Sequence, residues 1–246
     1  MTSEVIGDTQ DKFRELEERV ADFFDKANDA LSWVPGQFEH LIEPIRDGLD
    51  RLRQKIDELW SKVNEFLDNS GDPDKLNRFA DEWSDAIGNP VGNVAANVKL
   101  DHMRTNIEWT GRAAEAYKAN VPRQSELLEK IQSVAIEIRD SLRSLANGIE
   151  TFWIAVAFAV ASALVAITGA IAGLAGVVTI PAGIAAAAGG VSALIASAGV
   201  AVTEIKALMD KESIAQESIV QKAEALGDEW ATSSFDLSDI DNWEPF

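Results

Sequence analysis

The side chains best suited to proton transfer or metal ligation in this 246-residue sequence are two histidines, His40 and His102, and 41 carboxylates. Neither histidine lies in an HExxH pattern. Cysteine is absent, which removes a thiolate nucleophile, a disulfide scaffold and any Cys-ligated zinc or iron–sulfur centre. No GxxxxGK[ST] loop, GxGxxG turn or GxSxG elbow occurs. The carboxylates recur on amphipathic patterns, where they form a solvated face and not an acid–base pair. The sequence therefore predicts no catalytic residue, no metal and no cofactor, and the protein is expected not to be an enzyme.

The net charge of −19 is unevenly placed: −8 over residues 1–50, −3 over 51–150, zero over 151–203 and −8 over 204–246. Nucleic acid is an improbable partner for such a chain, because affinity for it rests on Lys and Arg neutralising phosphates. At neutral pH the same charge repels anionic lipid. The start, MTSEVIGDTQDKF, lacks the basic and apolar regions of a cleavable signal peptide.

The elements are helical throughout. Phe13, Leu16, Val20, Phe23, Ala27 and Leu31 draw one stripe, ended by a turn at Trp33–Gly36. Phe38, Leu41, Ile45, Leu49, Leu52, Ile56, Leu59, Val63 and Phe66 draw a second, in which Pro44 marks a helix start or a kink. These two helices are expected to pack antiparallel. Asp68–Pro73 is a breaker cluster with Pro73 at a first helical position. A short helix is expected to end near Gly88-Asn89-Pro90. Residues 92–108 read as helix, Trp109–Gly111 as a turn, and 112–150 as a long helix in which Pro122 is expected to make a kink, with a stripe of Leu127, Ile131, Val134, Ile138, Leu142, Leu145, Ile149 and Phe152. A last amphipathic helix is expected over Ile205–Trp230, before an acidic tail too poor in apolar residues to order itself. No alternating strand pattern appears, so the expected class is all-α, an elongated helical bundle.

Residues 151–203 carry no charge, and 25 of these 53 residues are Gly or Ala. At about 1.5 Å rise per residue and a bilayer core of about 30 Å, this length suits two crossings with a turn between. The turn candidate is Gly176–Gly183, containing Pro181. Phe152 and Trp153 open the first limb. Gly169 and Gly173 form a GxxxG pair suited to close helix contact. The stretch reads as the buried centre of a soluble bundle, as a resident two-pass membrane hairpin, or as a hairpin sheltered in a soluble form that later inserts. Acid would favour insertion by lowering the repulsion between the carboxylates and anionic lipid. For a resident hairpin, Arg139, Arg143, Lys206 and Lys211 would hold both ends in the cytoplasm.

Between two helical patterns stands Ile107-Glu-Trp109-Thr-Gly111-Arg-Ala-Ala-Glu-Ala-Tyr117. Glycine suits a turn that needs positive φ, and tryptophan covers the gap where two helices diverge. This segment resembles the Trp-x-Gly family of helical-hairpin proteins exported by type VII secretion in actinobacteria and Firmicutes, over residues 74–150. The resemblance implies a helix–turn–helix hairpin that pairs as a homo- or heterodimer, with Trp109 and Gly111 as the turn residues of the paired surface. The family's export signal, Tyr followed four residues later by Asp or Glu, is not matched by Tyr117; Phe235–Asp239 has its spacing with phenylalanine in first place. A weaker likeness, of architecture alone, is to α-helical pore-forming toxins.

The expected organisation is an amphipathic helix pair over 1–71, a Trp-x-Gly-like hairpin over 72–150, a membrane-active hydrophobic hairpin over 151–203, and an amphipathic helix with an acidic tail over 204–246. The expected function is that of a bacterial, type VII-like secreted or membrane-associated protein that inserts its hairpin into a lipid membrane, in a pore-forming or translocation role. Its expected partners are the membrane and a Trp-x-Gly partner or further copies of itself. A partner-binding module without membrane activity and a resident two-pass membrane protein are the alternatives.

Overall fold

The structure is a computed structural model that describes residues 2–32, 39–68, 71–103, 105–174 and 179–226. Among them every regular element is helical: α1 (Thr2–Ser32), α2 (Glu39–Asp68), α3 (Pro73–Trp83), a π-helical turn (Ser84–Gly88), α4 (Asn89–Asn97), a 3-10 turn (Leu100–His102), α5 (Thr105–Glu108), α6 (Arg112–Gly173) and α7 (Ile180–Glu224). The chain forms an all-α bundle with two long apolar helices, α6 and α7. It divides into two compact units, residues 1–74 with 147–208, and residues 75–146 with 209–246.

The first unit is built on four heptad stripes. Phe13, Leu16, Val20, Phe23 and Ala27 of α1 and Ile45, Leu49, Leu52, Ile56 and Leu59 of α2 are buried in one core with Trp153, Val160 and Ile167 of α6, Leu174 just past its end, and Ile180, Ile184, Val191 and Leu194 of α7. Steps of three and four put each set on one helix face, the pattern that knobs-into-holes packing requires. The far faces of α1 and α2 are charged and exposed. There Asp11–Arg14, Asp22–Lys26 and Asp50–Arg53 pair at helical spacing, each pair contributing about 0.2–0.5 kcal/mol. Pro44 lies inside α2 and is not its start. The Trp33–Gly36 turn falls outside the described residues.

The second unit has a core of small residues, Ala80, Ala95, Ala114 and Ala135, with Val121 and Leu128. Two expectations change here. The helix does not end near Gly88-Asn89-Pro90; it passes through them to Asn97, and the π turn accommodates the proline. The Asn89 N–H donates to Ser84 O, five residues back, which displaces the carbonyls that Pro90 would otherwise meet. The break comes later, inside the expected helix 92–108, where Val98 and Lys99 leave helical geometry (ψ 61° and 142°). The long α6 stripe is also rotated. Leu127, Ile131, Val134, Ile138, Leu142 and Leu145 are half-buried, whereas Val121, Leu128 and Ala135 are buried. The Ala135 Cβ lies in ordinary contact range of Gly88, 3.8 Å from where a Cβ on Gly88 would stand.

α6 runs unbroken through Pro122 and across residue 150 to Gly173, and α7 runs unbroken from Ile180 across residue 204. The expected separate helix from Ile205 is thus the second half of α7, which ends at Glu224; Trp230 and the acidic tail fall outside the described residues. The reason is local. Residues 149–153 and 201–206 hold neither Pro nor Gly, so a change of hydropathy there is not a helix stop.

Candidate functional site

The hairpin limbs, α6 from residue 151 and α7 to residue 203, belong to the first unit. Each limb buries a narrow heptad seam, spaced 153, 156, 160, 163, 167, 170 in α6 and continued by Leu174 just past its end, and 180, 184, 187, 191, 194, 198, 201 in α7. A seam of two positions in seven leaves most of a helix uncovered. Accordingly, only 33% of the most apolar 18 residues of α6 and 39% of those of α7 are buried, and both helices are long and apolar enough to cross a membrane. The outward face of α6 carries Ile154, Phe158, Ser162, Val165, Gly169 and Ala172, all exposed; Phe158 and Val165 each keep 75% of their surface open. That of α7 carries Ala182, Ala186, Gly189, Ala193 and Val200.

Four hydroxyls of the limbs are satisfied within their own helices. Thr151 Oγ1 donates to Asn147 O (2.8 Å), Ser162 Oγ to Phe158 O (2.9 Å), Ser192 Oγ to Ala188 O (2.6 Å) and Thr203 Oγ1 to Gly199 O (2.9 Å). A hydroxyl bonded to the carbonyl four residues back exposes no unpaired donor, the condition for entering hydrocarbon.

The residues singled out in the sequence take different places. Trp153 is a core residue, 1% exposed, with Phe152 half-buried edge-on to it at 5.5 Å. Gly169 faces open space. Gly173 lies against Gly183, whose Cα is 3.6 Å from the position of a Cβ on Gly173, so this half of the GxxxG pair is used inside the hairpin. Gly183 is tighter still, a Cβ there standing 2.9 Å from Ala170 O. Pro181 is exposed near the start of α7, and Gly176 falls outside the described residues.

The Trp109–Gly111 segment joins α5 to α6 in the second unit. Gly111 has φ +103°, and the Glu115 N–H closes on its carbonyl at 3.0 Å to open α6. The Trp109 ring stands 5.6 Å from that of Tyr117, whose hydroxyl donates to Met103 Sδ (3.5 Å). Trp109 and Tyr117 are partly exposed and Ile107 is 84% exposed. Met103 joins the Trp109–Tyr117 pair through the Tyr117 hydroxyl, and nothing in the helical pattern signals it. His102 is exposed; His40 lies on α2. Among the described residues no three His, Asp or Glu side chains come together as metal ligands.

The outward hairpin face is what the sequence could not single out. In an uncharged helix both faces are apolar, so periodicity does not distinguish a buried seam from an exposed one. Compared with protein-family models, with curated proteins and with solved structures, the chain finds no match.

Proposed function

We propose that this protein acts on membranes by inserting the hairpin of residues 151–203, in a pore-forming or translocation role. The observation that carries the reading is a 53-residue uncharged hairpin whose outward face, centred on Phe158 and Val165, is open to solvent. Exposed contiguous apolar surface marks interaction sites, and the hydroxyls of Thr151, Ser162, Ser192 and Thr203, bonded within their own helices, reduce the polar cost that lipid would impose. Secretion of a type VII kind, suggested by the Trp109–Gly111 segment, would deliver the chain to its target membrane.

The test is dye release from zwitterionic and anionic vesicles at pH 7.5 and pH 5, with protein purified without detergent. Release from both is expected, faster from anionic vesicles at pH 5 than at pH 7.5, because protonation lessens the repulsion set by a net charge of −19. Soluble, monodisperse protein that leaves all vesicles intact would reject the reading.

A second reading, partner binding through the Trp-x-Gly turn, is favoured by the exposure of Ile107, Trp109 and Tyr117. Self-association or heterodimer formation abolished by Trp109→Ala, with no vesicle leakage, would select it.

A further inference from the structure

We propose that α1 and α2 form a detachable cover for the hairpin, and that their departure as a pair admits its inner seam to lipid. The inference rests on the membrane-insertion reading above. The outward face can meet a bilayer with the unit intact, but full entry of the limbs cannot carry α1 and α2 along, because their far faces bear charges such as Arg14, Glu18, Asp50 and Arg53. Charges of that density do not cross a bilayer.

The contact to be broken is of a kind that lipid can replace. Phe13, Leu16, Phe23, Leu52 and Leu59 meet an uncharged partner, so no ion pair can hold cover and hairpin together. Lys55 Nζ donates across to Ser192 Oγ at 3.0 Å, yet Ser192 already donates its own proton to Ala188 O. Separation therefore returns an exposed ammonium to water and strands no donor on the hairpin. On the hairpin side, apolar contacts with protein become apolar contacts with acyl chains, which the hydrophobic effect does not oppose.

The cover also has bonds of its own that release would leave intact. Phe13 meets Trp60 edge-on at 6.3 Å, and the Arg53 guanidinium lies 4.9 Å from the Phe24 ring centroid. Both join α1 to α2 without the hairpin, so the pair leaves as one body.

The absence of cysteine makes a clean test possible. A Cβ on Gly48 of α2 would stand 3.3 Å from Ile184 Cγ2 of α7, so Gly48→Cys with Ile184→Cys places two thiols face to face and ties cover to hairpin. Oxidised, the variant is expected to release vesicle dye at least tenfold more slowly than wild type; reduced, it returns to the wild-type rate. Equal rates in both redox states would overturn the cover while leaving membrane activity standing. No release by wild type would reject the membrane reading and the cover with it. A second measurement does not depend on the disulfide. The thiol of Leu52→Cys, at a position 1% exposed, is expected to react with maleimide at least tenfold faster once zwitterionic vesicles are added, and unchanged protection would overturn the proposal.

Discussion

Gly190 meets Ala166 across the hairpin so closely that a Cβ on Gly190 would stand 2.5 Å from the Ala166 Cβ, while its neighbour Gly189 has nothing within 4 Å of the same position. Two adjacent glycines in one helix thus answer to different physics. Gly190→Ala forces the limbs apart and is expected to destabilise the first unit by about 1–3 kcal/mol, the usual cost of overpacking. Gly189→Ala meets no obstacle and gains helix propensity, an expected stabilisation of about 0.8–1 kcal/mol. Urea midpoints at unchanged m-value measure both. Shifts of the same sign would show that the limbs do not approach as described.

That close approach illustrates how the sequence carries the fold unevenly. The stripes of α1 and α2 are legible because charged residues alternate with apolar ones, so only one face can be inside. Residues 151–203 give length and turn but not orientation: Phe158 and Val160 are equally apolar, yet one is 75% exposed and the other fully buried. Seam selection there is decided by which small residues let backbones meet, a tertiary fact. The π turn over Ser84–Gly88 was illegible for a related reason, since Gly88-Asn89-Pro90 reads locally as a stop and the helix instead passes it with the Asn89 N–H bonded five residues back to Ser84 O. At the Trp-x-Gly turn the motif located Trp109 and Gly111, but the Met103 thioether that Tyr117 meets comes from the end of the preceding 3-10 turn.

A carboxylate placed on the outward face separates folding from insertion. Phe158→Asp and Val165→Asp alter side chains that each keep 75% of their surface exposed, so unfolding free energy is expected to move by no more than about 0.5 kcal/mol. In a bilayer centre an aspartate costs about 2.5–3.5 kcal/mol on insertion scales. Each variant is therefore expected to keep the wild-type urea midpoint and to lose at least tenfold in vesicle dye release. Wild-type release by both would remove the outward face from the mechanism.

Gly111 is required by its backbone and not by crowding. Its φ is +103°, and nothing stands within 4 Å of where a Cβ would be. Gly111→Ala is expected to cost about 1–3 kcal/mol in the second unit, the range for an ordinary residue held in a sparsely populated region. Asn is expected to suffer less than Val, since a β-branched residue is the least tolerant of positive φ. Thermal unfolding of the three variants checks the order, and an alanine variant as stable as wild type would mean the turn does not hold this conformation.

Where α7 continues beyond the hairpin its chemistry changes. Glu212 is 8% exposed and accepts a hydrogen bond from Ser141 Oγ of α6, while Lys222 pairs with Glu137. Ser141→Ala removes a donor from a buried carboxylate and is expected to destabilise the second unit by about 1–3 kcal/mol. Adding Glu212→Leu to Ser141→Ala removes the stranded charge and is expected to recover part of that loss, giving a coupling of at least about 0.5 kcal/mol in a double-mutant cycle. This pair lies outside the uncharged stretch, so dye release per folded molecule should stay at the wild-type rate in Ser141→Ala. Strict additivity of the two substitutions would deny the bond, and a lost release rate in a folded Ser141→Ala protein would place this polar seam within the insertion step.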